Sequence, residues 1–412
     1  MEIRSTTSRA VRVHLVTIGL LLGLARSASP TTSEPCLFVT IADPALGGQL
    51  EVVVIDTGDG QRWRFPVARL LSAIVPSASG KLLYGAFTTL SQMQCPIASR
   101  VGVITADTGE SLRDIPLAVP GGAVAIVISP DGQHLYVGDN VASKLFVVNT
   151  ATETVEDAIP LENAGGSCPG GFDDLPPQAM GLAVSMDGRW VAATTLFCGF
   201  DCIGTVSVLD TATNEIVQTI PLAAMHAAFS ADSTKLFVTL RFSDHIRVIA
   251  NPSGEIVDQI SVRAINLSAQ ADEVYAPSGR GIAVISSVTN QVLRTIDVVA
   301  GEMVLERERP RGYTRTHSGV LAVDLTSGSV VDEFEISDSI GLSIGACPTT
   351  PGCFGDCDHS GSVTVDEIGI LINVALGQPS QIPCSSVTAE GGITVVDVVV
   401  AVNNALRGCR AA

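Results

Sequence analysis

Between residue 36 and about residue 345 the chain runs in short stretches that alternate apolar and polar positions, each bounded by Gly, Asp, Asn or Ser. Alternation with period two is the pattern of half-buried β-strands, and the bounding residue types mark turns. The stretches come in a repeating unit. A Ser-x-x-Gly-like turn recurs at Ser77–Gly80, Ser129–Gly132 and Ser185–Gly188, and in worn form at Ser230–Ser233 and Ser268–Ala271. An alternating run follows each turn, as in His134–Gly138, Lys235–Thr239 and Glu273–Ala276. A second run ends in an Asp/Asn-Thr turn, as in Leu145–Thr152 and Val206–Thr213, and a third follows at Val155–Leu161, Ile216–Leu222 and Ile256–Val262. The second turn occurs seven times, near Asp59, Thr108, Thr152, Thr213, Ser253, Thr289 and Ser327, at intervals of 36 to 61 residues. Three or four strands in such a unit form one blade of a β-propeller, which buries its faces only against neighbouring blades. The pattern predicts a mainly β fold with seven blades.

Counting strands sharpens this expectation. The first blade begins at its second strand, Cys36–Thr40, with no innermost strand before it, while a spare run, Ile340–Ile344, follows the last copy. The spare run is expected to supply the missing inner strand, because an open ring would leave two unpaired edges. Cys36 and Cys347 then stand where other blades have a short turn, and a disulfide between them is expected to lock the ring. The other propeller cysteines, Cys95, Cys168, Cys198 and Cys202, fall in insertions on one side of the ring and are expected to pair among themselves. These insertions read as stapled surface loops or as the lip of a binding face. Zinc is disfavoured, since no paired C-x-x-C or H-x-x-x-H spacing occurs.

Past Pro348 the period changes from 2 to 3.6. Residues 361–376 and 391–406 form a repeat at an offset of 30, in which Gly361/Gly391, Thr364/Thr394, Asn373/Asn403, Ala375/Ala405 and Leu376/Leu406 coincide. Each half reads as a loop and an apolar helix. The first loop, Asp356 to Glu367, carries oxygen-bearing residues at positions 1, 3, 5, 7, 9 and 12 and Gly361 at 6, the EF-hand calcium pattern. Asp356, Asp358 and Ser360 would offer side-chain oxygens, Ser362 its carbonyl, Thr364 its hydroxyl or a water, and Glu367 both carboxylate oxygens. Thr364-x-x-Glu367 also reads as a helix capping box. The second copy keeps the cap as Thr394-x-x-Asp397 but lacks two acidic ligands, so one Ca2+ is expected and the second site is degenerate.

Residues 1–27 combine Arg4, Arg9 and Arg12 with an apolar stretch, Leu15–Ala25, and a small-x-small site at Ala25–Ser27. They read as a signal peptide, and the stretch is too short to span a bilayer. Export, to a secreted, periplasmic or cell-surface location, would place the ten cysteines where disulfides persist. A net charge of -18 disfavours nucleic acid or an anionic membrane as partner. The expected organisation is a signal peptide over 1–27, a propeller over 28–347, a linker over 348–354 and a helical calcium module over 355–409. The chain is expected to be a monomer without a transmembrane span after cleavage.

The strand units resemble the YVTN family of propeller repeats, closely at Ser129–Leu161 and Ser185–Leu222, which implies seven blades and leaves function open. The C-terminal repeat resembles a type I dockerin, well in its first half. That likeness implies calcium-dependent folding and a cohesin partner. Cys353, Cys357, Cys384 and Cys409 depart from the dockerin pattern and point to disulfide bracing within their own group.

No signature of chemistry accompanies these folds. Neither a Gly-x-Ser-x-Gly elbow nor a phosphate-cradling glycine loop occurs. Of six histidines only His226 falls on an inner strand, where it can reach the central channel. The dense charge run Glu302–Arg311 reads as a solvated connection in blade seven. The sequence therefore favours a non-catalytic binding or scaffold protein, with a protein (cohesin-like or cell-surface) or a glycan as partner. The alternative is a propeller enzyme, a lactonase-like hydrolase or quinoprotein-type oxidoreductase, with its site at the channel.

Overall fold

The protein is described from a computed structural model that covers residues 34–43, 49–58, 60, 62–67, 71–90, 96–162, 179–198, 202–336, 338–348, 363–376, 398, 401, 402 and 405. The alternating runs form seven four-stranded antiparallel sheets. The inner strands are Ser339–Ala346, Leu71–Pro76, Ala123–Ile128, Ala179–Val184, Ala224–Phe229, Ser268–Gln270 and Met303–Leu305, for blades one to seven in that order. Each inner strand approaches that of the next blade, and the last approaches the first, so the sheets close into a ring.

Blade one is completed as the strand count requires. Ser339–Ala346 pairs antiparallel with Pro35–Asp43, setting Leu37 opposite Ile344 and Val39 opposite Leu342. Cys36 and Cys347, 311 positions apart, form a disulfide beside that pairing.

Apolar clusters fill the seven interfaces between neighbouring blades. Central strands are buried on both faces, which explains near-continuous apolar runs such as Cys36–Val39. Phe38 enters the cluster shared with blade two, while Leu37, Val39 and Ile41 enter the one shared with blade seven. Full burial of such a side chain contributes about 1.5–3 kcal/mol. Outer strands are mostly exposed and send one large residue inward near their ends: Phe65, Ile115, Ile159, Ile220, Ile260, Ile296 and Phe334, each no more than 6% exposed.

The recurring turns have physical causes. In Ser129–Gly132 the Asp131 carboxylate accepts from the Ser129 hydroxyl and the Gln133 N–H, the Ser129 hydroxyl accepts from the His134 N–H, and Gly132 takes φ +72°. Ser185/Asp187 and Ser230/Asp232 repeat the first two contacts. In the second turn Asn149 Oδ1 accepts from two following N–H groups, and the Thr150 hydroxyl donates to the Gly132 carbonyl of the neighbouring turn. Thr211 does the same to Gly188, and in blade one Thr57 donates to Pro35. The Asp/Asn-Thr signature thus couples the two turns of a blade.

The outer strand of blades two to seven slips register against its neighbour, skipping Leu112 and Leu117 in blade two and Glu156, Val217, Val257, Leu293 and Val331 in blades three to seven. These are β-bulges, which bend and twist an edge. The outer strand of blade one keeps its register and instead carries Arg62, Arg64 and Pro66.

Three expectations are corrected. Ser268–Gln270 is the inner strand of blade six, and the turn is Ala271–Asp272: without the Asp-Gly pair the longer turn has nothing to hold it, and Gln270 pairs directly with Glu273. Cys198 and Cys202 are not in a loop but form the last register pair of two central strands. Glu302–Arg311 is not a solvated connection, for it contains the inner strand Met303–Leu305 and the buried Glu306.

Near the C-terminus the helix Val365–Ala375 starts on a capping box. Glu367 Oε2 accepts from the Thr364 N–H at 2.7 Å and hydroxyl at 2.8 Å. Ile368 and Leu371 share a small cluster with Val398 and Ala401, their equivalents at the offset of 30. Among the described residues no helix is long and apolar enough to cross a membrane.

Cys95, Cys168, Cys353, Cys357, Cys384, Cys409, Asp356, Asp358, Ser360 and Ser362 lie outside the described residues, as does the segment 1–33.

Candidate functional site

Antiparallel blades give the ring two unlike faces. A turn face carries the connections between strands one and two and between strands three and four. A loop face carries the connections between strands two and three and between blades.

The turn-face mouth of the channel is crossed by the Arg307 side chain, from the connection Glu306–Pro310 of blade seven. Arg307 Nη1 donates to the Pro130 carbonyl of blade three at 3.2 Å. The Gln270 side chain of blade six donates to the carbonyls of Glu306 at 2.7 Å and Arg309 at 3.0 Å. Arg309 pairs with Glu34 of blade one and with Glu306. Glu306, 4% exposed, also accepts from the Tyr313 hydroxyl at 2.6 Å. Burial, with Glu306 beside it, pushes the Tyr313 hydroxyl up to about 12, so it stays a donor. Three blades besides its own contact this connection.

The inner strands are built from Ala, Gly, Ser, Val, Ile, Leu, Met and a few others, and His226 is their one ionisable residue. It lies at a register shift, where its N–H donates to the Thr239 hydroxyl at 3.2 Å. His226 belongs to neither apolar cluster flanking its blade, and among the described residues nothing bonds its ring. Burial lowers its pKa, so the ring is neutral at neutral pH.

On the loop face, just before the inner strand of blade seven, Glu302 stands 3.8 Å from Arg315, whose Nη1 donates to the Ser339 carbonyl at 2.6 Å. Desolvation raises the Glu302 pKa, opposed by Arg315 and by the Leu342 N–H. The site residues expected from sequence are thus brought together only in part. Cys36 meets Cys347, and Thr364 meets Glu367 in a cap. Asp56 joins the two cysteines as the metal-capable cluster among the described residues, but their sulfurs are bonded to each other. Sequence reasoning missed the connection over the channel. Its signal was the charge density of a turn no longer than Ser129–Gln133 or Ser185–Arg189.

No protein-family model matches this sequence, and no curated protein does. Among solved structures, the fold is similar to the dihydro-heme d1 dehydrogenase NirN, solved in complex with DHE, at 16% identity and TM-score 0.51. That match covers 74% of this chain and 64% of NirN, so the chain spans less than two thirds of it. A candidate 6-phosphogluconolactonase from Bacteroides fragilis NCTC 9343 is similar at 14% identity and TM-score 0.54, over 77% of this chain and 99% of that one. A chain of the mitotic checkpoint complex matches at 12% identity and TM-score 0.50, over 68% and 83%. At these identities the likeness establishes the propeller fold.

Proposed function

We propose that the chain is an exported, non-catalytic binding protein. Its propeller receives a protein or glycan on the loop face, and its C-terminal module docks or anchors the chain. One observation carries this reading: the Arg307 side chain spans the turn-face mouth, while among the described residues the opposite face exposes Phe242 (84%), Val119 (85%), Val299 (64%) and Ile265 (51%). The turn face exposes fewer large apolar side chains, Val288 and Met186 among them, and an excess of such side chains on one face marks a contact surface. The YVTN-like wording of the strand units and the basic-apolar N-terminal segment support an extracellular setting. The dockerin-like repeat supports one Ca2+, held by Asp356, Asp358, Ser360, Ser362, Thr364 and Glu367, and a cohesin-like or cell-surface partner.

The test is binding of the oxidised full chain to immobilised cell-envelope proteins and glycans. Phe242→Asp with Val299→Asp should abolish capture, and Asp107→Lys with Asp324→Lys on the turn face should not. The reverse pattern, or capture indifferent to both pairs, would overturn the reading.

A channel-sited enzyme is the second reading, favoured by the neutral, unbonded imidazole of His226 and by a fold shared with enzymes. On that reading His226 activates water against a sugar lactone, and pH-stat titration with 6-phosphogluconolactone would show turnover that His226→Ala abolishes.

A further inference from the structure

Six of the seven inner strands slip register at or just before their loop-face ends. Blades one to three skip Ile340, Ser72 and Val124. In blades five to seven two residues oppose one: Met225 and His226 opposite Thr239, Asn266 and Leu267 opposite Ala276, Gly301 and Glu302 opposite Arg315. Blade four keeps its register and has Gly181 at this level, where a Cβ would stand 3.3 Å from the His226 Cα. Bulges re-aim side chains and concentrate beside functional sites. Round the mouth from blade one, Ile340, Ser72, Val124 and Gly181 make a small or apolar arc, and His226, Asn266 and Glu302 make a polar one.

The polar arc is short of partners. No described residue bonds the His226 ring, and Asn266 Oδ1 is buried and accepts from none. Glu302 accepts from the Leu342 N–H of blade one's inner strand, on the free edge that borders the channel. Arg315 Nε stands 3.8 Å from the same carboxylate, beyond hydrogen-bond distance, and itself finds no acceptor. Polar groups buried without partners are exceptional in folded proteins, and each calls for a cause.

We propose that this arc holds a terminal sugar residue of a neutral glycan, seated in the loop-face mouth of the channel. Glu302 and Arg315 carry opposite charges 3.8 Å apart, so a lone cation or anion is attracted by one and repelled by the other. Two adjacent hydroxyls, each able to donate and accept, serve carboxylate and guanidinium together. The Asn266 amide and the neutral His226 ring offer the same mixture of donor and acceptor. The apolar CH face of the sugar would lie toward Ile340 and Val124. This inference rests on the loop-face reading and narrows it: the partner is a glycan, and its anchor is the channel mouth rather than Phe242.

Saturation-transfer NMR of the oxidised full chain tests it, with the methyl glycosides of glucose, galactose, mannose and N-acetylglucosamine as probes. At least one should bind in the millimolar range, and acetate and methylammonium should not. Glu302→Gln should weaken that sugar about tenfold, as loss of a hydrogen bond to a charged group does. His226→Asn and Asn266→Leu should each weaken it about threefold. Asn266→Leu should leave the melting temperature unchanged or raised, because it removes a polar group that has no partner. Phe242→Asp with Val299→Asp should leave the monosaccharide bound. Absence of binding by all four glycosides, affinity indifferent to Glu302→Gln, or loss with the Phe242 and Val299 pair instead would overturn the proposal. The loop-face reading would survive that failure if capture of immobilised glycans or proteins still answered to Phe242 and Val299.

Discussion

Arg307 donates to the main-chain carbonyl of Pro130 at 3.2 Å, although the two residues are 177 positions apart and belong to the seventh and third blades. In a ring of seven these blades stand nearly opposite each other. The contact therefore carries the Arg307 side chain across the channel mouth, from a connection held by Gln270 and Arg309.

That base depends on the buried carboxylate of Glu306. Arg309→Met should destabilise the chain by about 1–3 kcal/mol; breaking a buried pair costs more, but Tyr313 still serves Glu306. Glu306→Gln added to Arg309→Met should recover part of the loss. Urea unfolding midpoints check both, and a double variant no more stable than the single one would contradict the role given to the charge.

The ring closure yields a second prediction. Cys36→Ala with Cys347→Ala should lower stability by about 2–5 kcal/mol, the usual effect of losing a native disulfide. Amide exchange should rise first in Ser339–Ala346 and Pro35–Asp43. Uniform loss of protection around all seven blades would show that the closure is not the weak point.

Two glycines separate backbone strain from crowding. Gly60 and Gly109 both take φ +73°, but a Cβ on Gly60 would meet nothing within 4 Å, whereas one on Gly109 would lie 2.2 Å from the Phe65 ring. Gly60→Ala should cost about 1–2 kcal/mol from the left-handed conformation alone. Gly109→Ala should cost about 1–3 kcal/mol more from overpacking. Thermal melts of the two variants compare them directly.

His226 gives a pH dependence of known sign. Its native pKa lies below 6.5, so as pH falls past 6.5 the unfolded chain takes up a proton that the native chain resists. Its contribution to stability is present above 6.5, declines as pH falls toward the native value, and is fully lost below it. His226→Asn should flatten that slope as pH falls below 6.5. An unchanged slope would assign it to other groups.

For the calcium module, calorimetry of the whole chain should find one ion. Asp358→Ala should abolish binding, and Glu390→Ala, in the degenerate copy, should leave it intact. Two ions of similar affinity would contradict the reading of the second loop.

The blades were legible because their turns are local: Ser129 bonds Asp131, Asn149 accepts from Ala151 and Thr152, and each repeat states the same chemistry. Closure was legible for a different reason. An unpaired first strand and a surplus last one can be counted without knowing any contact. The connection over the channel left no such trace, since Arg307 and Gln270 donate to main-chain carbonyls, which every residue type supplies. The contact of Arg62 with the Glu335 carbonyl was hidden because the two residues meet only after the chain ends are joined. Ser268–Ala271 misled because it kept the serine of the turn and lost the Asp-Gly pair that holds it.

The register slips at Leu112, Glu156, Val217, Val257, Leu293 and Val331 bear on how this protein coexists with itself at high concentration. A foreign strand laid along any of these rims would fall out of step within a few residues, and the one straight rim presents Arg62, Arg64 and Pro66 to the newcomer. Sideways polymerisation into fibrils is thereby discouraged on all seven blades, by backbone geometry on six and by side-chain identity on the seventh.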